Sequence, residues 1–146
     1  MTFWINKISW GKLLISAAIF TVISYVIHMI EAILTIKYYM MPQYFGLWSK
    51  LMMPVAGPPP AAFTITSIIF AFVTGISVGL IYYYLRDHLP PVGFKRAFYF
   101  ADVLVATTFL FFTLPAYLMF NIPVGLLVSW FLSSFIILTA GSWVLV

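Results

Sequence analysis

The amino-acid sequence predicts an all-α integral membrane protein, a four-transmembrane-helix antiparallel bundle with a short interfacial helix between helices 1 and 2. Of the 146 residues, 64% are hydrophobic and only 7% are charged, which is too few charges for a soluble domain. Cutting the chain at its charges and prolines leaves four apolar segments, each near the roughly 20 residues that cross about 30 Å of hydrocarbon. We expect one domain, 1–146, with helices over about 13–36, 61–85, 97–119 and 124–145.

The apolar segments are continuous rather than alternating, which favours helices over the short alternating strands of a membrane barrel. The first segment follows Lys7 and Lys12, as the core of a secretory signal would. Its apolar core is too long for a signal, and no small-residue cleavage site ends it. We therefore expect it to be retained as a membrane-spanning helix.

The connections between the segments predict the topology. Five cations fall on the side of the termini and the second connection, at Lys7, Lys12, Arg86, Lys95 and Arg96. Only Lys37 and Lys50 fall on the other side. The positive-inside rule then places both termini in the cytoplasm, and we expect a plasma or inner membrane. Aromatic residues near the predicted helix ends fit an interfacial belt: Trp4, Trp10, Trp48, Trp143 and Tyr82–Tyr84.

The first connection is nearly as apolar as the helices. Pro42 and Pro54 bracket a stretch in which one helical face is polar, and the other carries Tyr44, Leu47, Trp48 and Leu51. We expect an amphipathic helix over about 42–54 that lies in the interface or dips into the protein. It is either a membrane-hugging linker, or a lid over a site or a partner-binding surface. Three prolines at 58–60 then form a stiff connection into helix two.

Small residues predict close helix packing. In helix two they recur every four residues, at Ser67, Ala71, Gly75 and Gly79, and helix four repeats the pattern at Gly125, Ser129 and Ser133. Small residues let helix backbones approach closely in lipid, where apolar burial drives little association. We favour packing within the chain, with a homodimer face as the alternative.

A polar stripe runs down one face of helix one. Its members are spaced three or four apart, at Thr21, Ser24, His28, Glu31 and Thr35. His28 and Glu31 are three residues apart and can hydrogen-bond each other directly. A charge near the bilayer centre costs about 2.5–3.5 kcal/mol, so this pair is either a functional site or a hydrogen bond that fixes helix register. For the second interpretation, Thr64 or Ser67 of helix two would be the partner.

Asp102 extends this hypothesis to helix three. By helical rise it lies about 8 Å inside the predicted start of that helix, near the level of Ala18 on helix one. A polar path could then run from Asp102 past Thr21 and Ser24 to His28 and Glu31, with threonines of helix three beside it. The alternative is that Asp102 pairs with Lys95, Arg96 or Lys12 near the headgroups.

Several chemistries are disfavoured. The chain has no cysteine, which removes disulfides, thiolate zinc sites and cysteine nucleophiles. We expect no cofactor and no metal. His28 and His88 face opposite membrane sides, and His28 with Glu31 is half a ligand set. The methionine pairs Met40–Met41 and Met52–Met53 are better explained as apolar filler than as Cu(I) ligands. Seven scattered cations do not predict nucleic-acid binding, and no nucleotide-binding or hydrolase motif is present.

Two function classes come first, and catalysis is a distant third. The first is a ligand-binding, ion- or proton-linked transport module that works through His28, Glu31 and Asp102, with the 42–54 segment closing it. The second is an accessory or assembly subunit that docks on a larger membrane complex. Partners besides the lipid bilayer are another copy of the chain or that complex. The sequence resembles no family closely enough to name one.

Overall fold

Four long helices make up most of the computed structural model, which describes residues 8–91 and 93–145. We label them α1 (Trp10–Tyr39), α2 (Ala61–Leu85), α3 (Phe94–Met119) and α4 (Val124–Leu145). All four are long and apolar enough to cross a membrane, and the described residues contain no strand. Helices satisfy their own backbone hydrogen bonds, which a membrane-spanning segment requires. The membrane class predicted from composition is therefore supported.

The helix boundaries agree closely with the predicted ones for α2 and α4. By contrast, α1 extends about three residues beyond each end of 13–36, and α3 begins at Phe94 rather than at 97. Charged residues mark where a helix meets the headgroups but do not stop it, because Lys12 and Lys37 are themselves good helix formers. The predicted topology residue Lys7 and the predicted belt residue Trp4 lie outside the described residues.

The first connection is less regular than predicted. A short 3₁₀ helix covers Pro42–Leu47, and turns follow it, so no helix extends over 42–54. Ser49 accounts for the change in direction. Its hydroxyl and its carbonyl both accept a hydrogen bond from the N–H of Met52. The carbonyl also accepts one from the N–H of Met53. A serine that bonds the following backbone offers a local turn in place of a helix.

Helix α3 contains an irregular turn. Its α-helical part ends at Thr108, a π-helical turn covers Phe109–Thr113, and α-helix resumes at Leu114. Pro115 explains the interruption. Proline has no N–H to donate one turn back, and its ring would clash with the carbonyl there, so the helix widens locally.

The helices pack in a defined order. α1 lies against α2 and α4, and α3 lies against α4. At the end that carries the 86–93 connection, α2 and α3 also meet, where Tyr82 packs edge-on against the fully buried Phe100 at 5.4 Å between ring centroids. Val78 completes this buried cluster. We call the other end, with residues 40–60 and 120–123, the loop end.

Glycines on α2 and α4 allow the close contacts of α1. A Cβ on Gly75 would lie 3.0 Å from the Ala17 Cα, and a Cβ on Gly79 would overlap the Leu13 side chain. On α4, Gly141 leaves room for the Phe20 ring. Gly75 and Gly79 thus lie against α1 of the same chain, and Ser67 of the same stripe bonds its own helix at the Phe63 carbonyl.

These contacts predict unequal costs for two alanine substitutions. We expect Gly75→Ala to destabilise the protein by about 1–3 kcal/mol, because the new methyl meets the Ala17 backbone, which cannot move aside. Gly79→Ala should cost less, because the end of the flexible Leu13 side chain can shift. Reversible unfolding in mixed micelles measures both.

Gly11→Ala is the matched control, since a Cβ there meets nothing within 4 Å. Its effect should stay within about 0.5 kcal/mol. Equal losses at Gly75 and Gly11 would show that close packing against Ala17 does not stabilise this structure.

Candidate functional site

Glu31 lies between α1 and α4, with only 6% of its surface exposed. Its carboxylate oxygen Oε1 contacts two hydroxyls. The Thr35 Oγ1 is 2.8 Å away on the next turn of α1, and the Ser129 Oγ of α4 is 3.2 Å away. Thr35 is itself buried. The buried carboxyl group therefore joins two helices through a small polar cluster, which we call the Glu31 cluster: Glu31, Thr35 and Ser129.

The local sequence explains why these groups meet. Glu31 and Thr35 are four residues apart and lie one above the other on a helix face. Ser24, seven residues before Glu31, is buried on the same side of α1. The small Ser129 faces them from α4, where a larger side chain would push the helices apart.

Three aromatic side chains lie on the loop-end side of the cluster. The indole N–H of Trp130 donates to the Tyr39 hydroxyl at 2.9 Å. Trp48, from the first connection, lies 4.9 Å from the Tyr39 ring and 6.4 Å from the Trp130 ring, centroid to centroid. We call this group the aromatic cap. It is contributed by α1, α4 and the 40–60 segment together.

The cap lies directly beside the cluster. Trp130 follows Ser129 in sequence, and Tyr39 lies about one turn beyond Thr35 on α1. The indole nitrogen of Trp48 is buried and has no acceptor among the described residues. The first connection thus places one large side chain against Tyr39 and Trp130, which are the neighbours of the Glu31 cluster on α1 and α4.

His28 occupies a different position from the predicted one. It is exposed on the surface of the single chain and forms no hydrogen bond with a described residue. Three residues of helix turn His28 about 60° away from Glu31, and Thr35 and Ser129 take the carboxyl contacts instead. The predicted direct bond is therefore not formed, nor is the alternative bond to Thr64 or Ser67.

The predicted polar path is not assembled either. Asp102 is exposed on α3 and is not in an ion pair with Lys95, Arg96, Lys12 or any other described residue. Thr21 donates to the Ala17 carbonyl of its own helix at 2.8 Å. The structure brings Glu31, Thr35 and Ser129 together and leaves Asp102 on another surface.

Sequence patterns did not identify four members of the Glu31 cluster and the aromatic cap as site residues. Ser129 was noted only for its small size, and Trp48 and Tyr39 only as part of an apolar or interfacial stretch, while Trp130 carried no signal. The apolar face of the 42–54 segment was the one pattern that pointed to Trp48. No group of three or more His, Asp or Glu side chains that could hold a metal occurs in the described part of the chain.

Comparisons of the chain with protein-family models, with curated proteins and with solved structures gave no match. The function has to be argued from the geometry of the Glu31 cluster and the aromatic cap.

The geometry predicts energetic coupling between Glu31 and Ser129. In a double-mutant cycle with Glu31→Ala and Ser129→Ala we expect a coupling free energy of about 0.6–1.7 kcal/mol, the range found for hydrogen bonds between membrane helices. Reversible unfolding in mixed micelles supplies the four stabilities. Ser133, also buried and one turn further along α4, is the control. Its coupling free energy with Glu31 should be zero within error. Equal coupling at both serines would contradict the observed bond.

Proposed function

We propose that this protein is a small polytopic membrane protein that acts as a ligand-binding, ion- or proton-linked transport module, with Glu31 as its working residue. One observation carries the proposal: a buried carboxyl group inside a membrane-spanning helix is held by hydroxyls from two helices beneath an aromatic cap. Ionisable groups inside membrane helices are rare and mark ion, proton and substrate pathways.

The composition of the cluster supports a role beyond helix packing. A hydroxyl pair between α1 and α4 would be enough to fix their register, and small polar residues serve that purpose elsewhere. A carboxyl group adds a cost whenever it ionises inside the hydrocarbon, and that cost reaches about 2.5–3.5 kcal/mol at the bilayer centre. That cost is useful if binding and release of a cation or proton at Glu31 drive the protein between states.

The proposal includes an orientation. Contacting pairs run in opposite order along α1 and α4, since Phe20 meets Gly141 and Tyr38 meets Gly125. This order supports an antiparallel bundle, and we place that bundle in a plasma or inner membrane. Both termini are then cytoplasmic, as the excess of cations beside the 86–93 connection favours. The aromatic cap faces outward in this orientation, so Trp48 acts as a lid over Glu31.

Vesicle flux measurements test this proposal. Wild-type protein in lipid vesicles loaded with a pH-sensitive dye should dissipate an imposed proton, sodium or potassium gradient faster than protein-free vesicles. Glu31→Gln, which keeps the size of the side chain and removes its charge, should lower the flux to the protein-free level. Ser133→Ala should keep the wild-type flux. Equal flux through wild type and Glu31→Gln would refute the role of Glu31.

A second candidate function rests on Asp102. This carboxylate is exposed on α3 in the single chain, about 12 Å from the start of that helix. Acidic groups within membrane helices almost always face protein or water rather than lipid. An accessory or assembly subunit, with the Asp102 face of α3 covered by a larger complex or by another copy, would satisfy that constraint.

The absence of native cysteine makes this alternative testable. Ala106→Cys lies one turn from Asp102 on the same exposed face, and Phe111→Cys on α3 is the control at a side chain that is 80% exposed. If another chain covers the Asp102 face, a membrane-permeant maleimide should label Ala106→Cys more slowly than Phe111→Cys in native membranes, but equally in dispersing detergent. Equal labelling in both media would rule out a covered face.

A further inference from the structure

Asp102 has no ionic partner within the described part of the chain. It is exposed on α3, about 12 Å from the start of that helix, and forms no ion pair with a described residue. Its side chain is short, so it cannot extend to the headgroups as a lysine can. Ionisable groups inside membrane helices usually pair with one another. A cation at the same depth would be the matching partner.

The two arginines at this end of the molecule are held against the 86–93 connection. The Arg86 Nε lies 3.6 Å from the Asp87 carboxylate. The Arg96 Nε donates to the Pro90 carbonyl at 2.8 Å. Both guanidinium groups thus already have a neighbour within the connection.

Two lysines are the other described cations at this end. Lys95 lies seven residues before Asp102 on α3, about 10 Å nearer the headgroups. Lys12 is exposed on α1 and forms no ion pair with a described residue. Because α1 packs on α2 and α4 rather than on α3, Lys12 and Asp102 lie on separate parts of the single chain.

The ring contact between α2 and α3 places Asp102 in depth. The rings of Phe100 and Tyr82 lie 5.4 Å apart, centroid to centroid, so these two residues share a level. Asp102 is two residues further along α3, about 3 Å deeper in the membrane than this contact.

Lys12 lies at about the same depth. Gly79 is three residues before Tyr82 on α2, about 4.5 Å deeper than the ring contact. The Leu13 side chain lies against Gly79. Lys12 precedes Leu13 and lies about 1.5 Å nearer the headgroups, so it too is about 3 Å deeper than the ring contact.

The direction of Lys12 follows from the contacts of α1. Phe20 meets Gly141 of α4, and Ala17 meets Gly75 of α2. At about 100° per residue, Lys12 lies about 80° from Phe20 and about 140° from Ala17, with Phe20 between them. Lys12 is therefore beside α4, on the side away from α2.

Asp102 has the corresponding position on α3. Phe94 meets Trp143 of α4, and Phe100 meets Tyr82 of α2. By the same rotation, Asp102 lies about 80° from Phe94 and about 160° from Phe100. The rotation from the α4 contact to the charge has the opposite sense to that on α1, and α1 and α3 run in the same direction. Both charges therefore point to the outer side of α4, one on each flank.

The outer side of α4 forms an apolar strip between the two charges. α4 packs between α1 and α3, and its exposed side chains include Val128, Leu132 and Phe135, spaced four and three residues apart. This face thus carries a cation on one flank, Lys12, and an anion on the other, Asp102.

We propose that a second copy of this chain, inserted in the same orientation, covers this face, so that Lys12 of each copy pairs with Asp102 of the other. A two-fold axis along the membrane normal exchanges the flanks, so each cation meets an anion and two equal ion pairs form. This dimer is one form of the second candidate function, in which another copy covers the Asp102 face. It rests on that function and not on Glu31.

Single cysteines test the contact, because the chain has no native cysteine. Leu132→Cys lies on the apolar strip, near the two-fold axis. Ile69→Cys on α2 is the matched control, since the two native side chains are 53% and 58% exposed. Oxidation of native membranes should link Leu132→Cys into a covalent dimer and leave Ile69→Cys monomeric.

Charge reversal in the Leu132→Cys background tests the ion pairs. Lys12→Glu or Asp102→Lys alone should lower the yield of covalent dimer about tenfold, because like charges that meet in an interface are strongly unfavourable. Two differently tagged chains, one with each reversal, should form a mixed dimer at the wild-type yield when they are expressed together. A second chain cannot restore a pair formed within one chain, and recovery of the mixed dimer shows that both variants fold.

Two results would overturn the proposed dimer. The first is an unchanged dimer yield in both single reversals. The second is no recovery in the mixed sample, although circular dichroism shows each variant to be folded. Slow labelling of Ala106→Cys without a Leu132→Cys dimer would also overturn it. That result keeps the accessory-subunit function, because another protein would then cover Asp102.

Discussion

The contact of Glu31 with Thr35 and Ser129 is the constraint around which the loop-end half of this protein is arranged. A carboxyl group in a membrane-spanning helix has to be enclosed by protein and supplied with hydrogen-bond partners. α1 therefore presents its buried face to α4 at this level, where the small Ser129 leaves room. The aromatic cap shields the same level from the loop end, so a polar centre is enclosed by apolar and aromatic groups.

The two ends of the molecule are stabilised differently. Toward the 86–93 connection, glycines bring α1 close to α2, and the buried Phe100 packs on Tyr82. These contacts depend on shape and contain no charged group. Toward the loop end, hydrogen bonds and ring contacts of α1, α4 and the first connection predominate. The widened turn of α3 lies at that level too, with Phe112 beside Trp130. One half of the molecule is thus held by close apolar packing and the other by polar and ring contacts.

His28 and Asp102 show how far the polar residues could be assigned in advance. Sequence spacing correctly identified a polar stripe on α1. Three of its members, Ser24, Glu31 and Thr35, are buried in the structure. Spacing alone could not tell that His28 lies at the edge of the packed face or that Asp102 lies on the outer surface of α3. Those positions depend on which faces the helices present to one another, and continuous apolar helices carry little periodicity to indicate it.

Composition and segment length by themselves determined that the chain has four helices long and apolar enough to cross a membrane, and most of their boundaries, because crossing hydrocarbon imposes a length and an apolar composition on each segment. Helical spacing also placed Glu31 on the same face as Thr35. Only the tertiary structure decided that Ser129 completes the cluster and that Tyr39, Trp48 and Trp130 cap it. Each of these contacts joins residues far apart in sequence, and their pairing depends on how whole helices fit together.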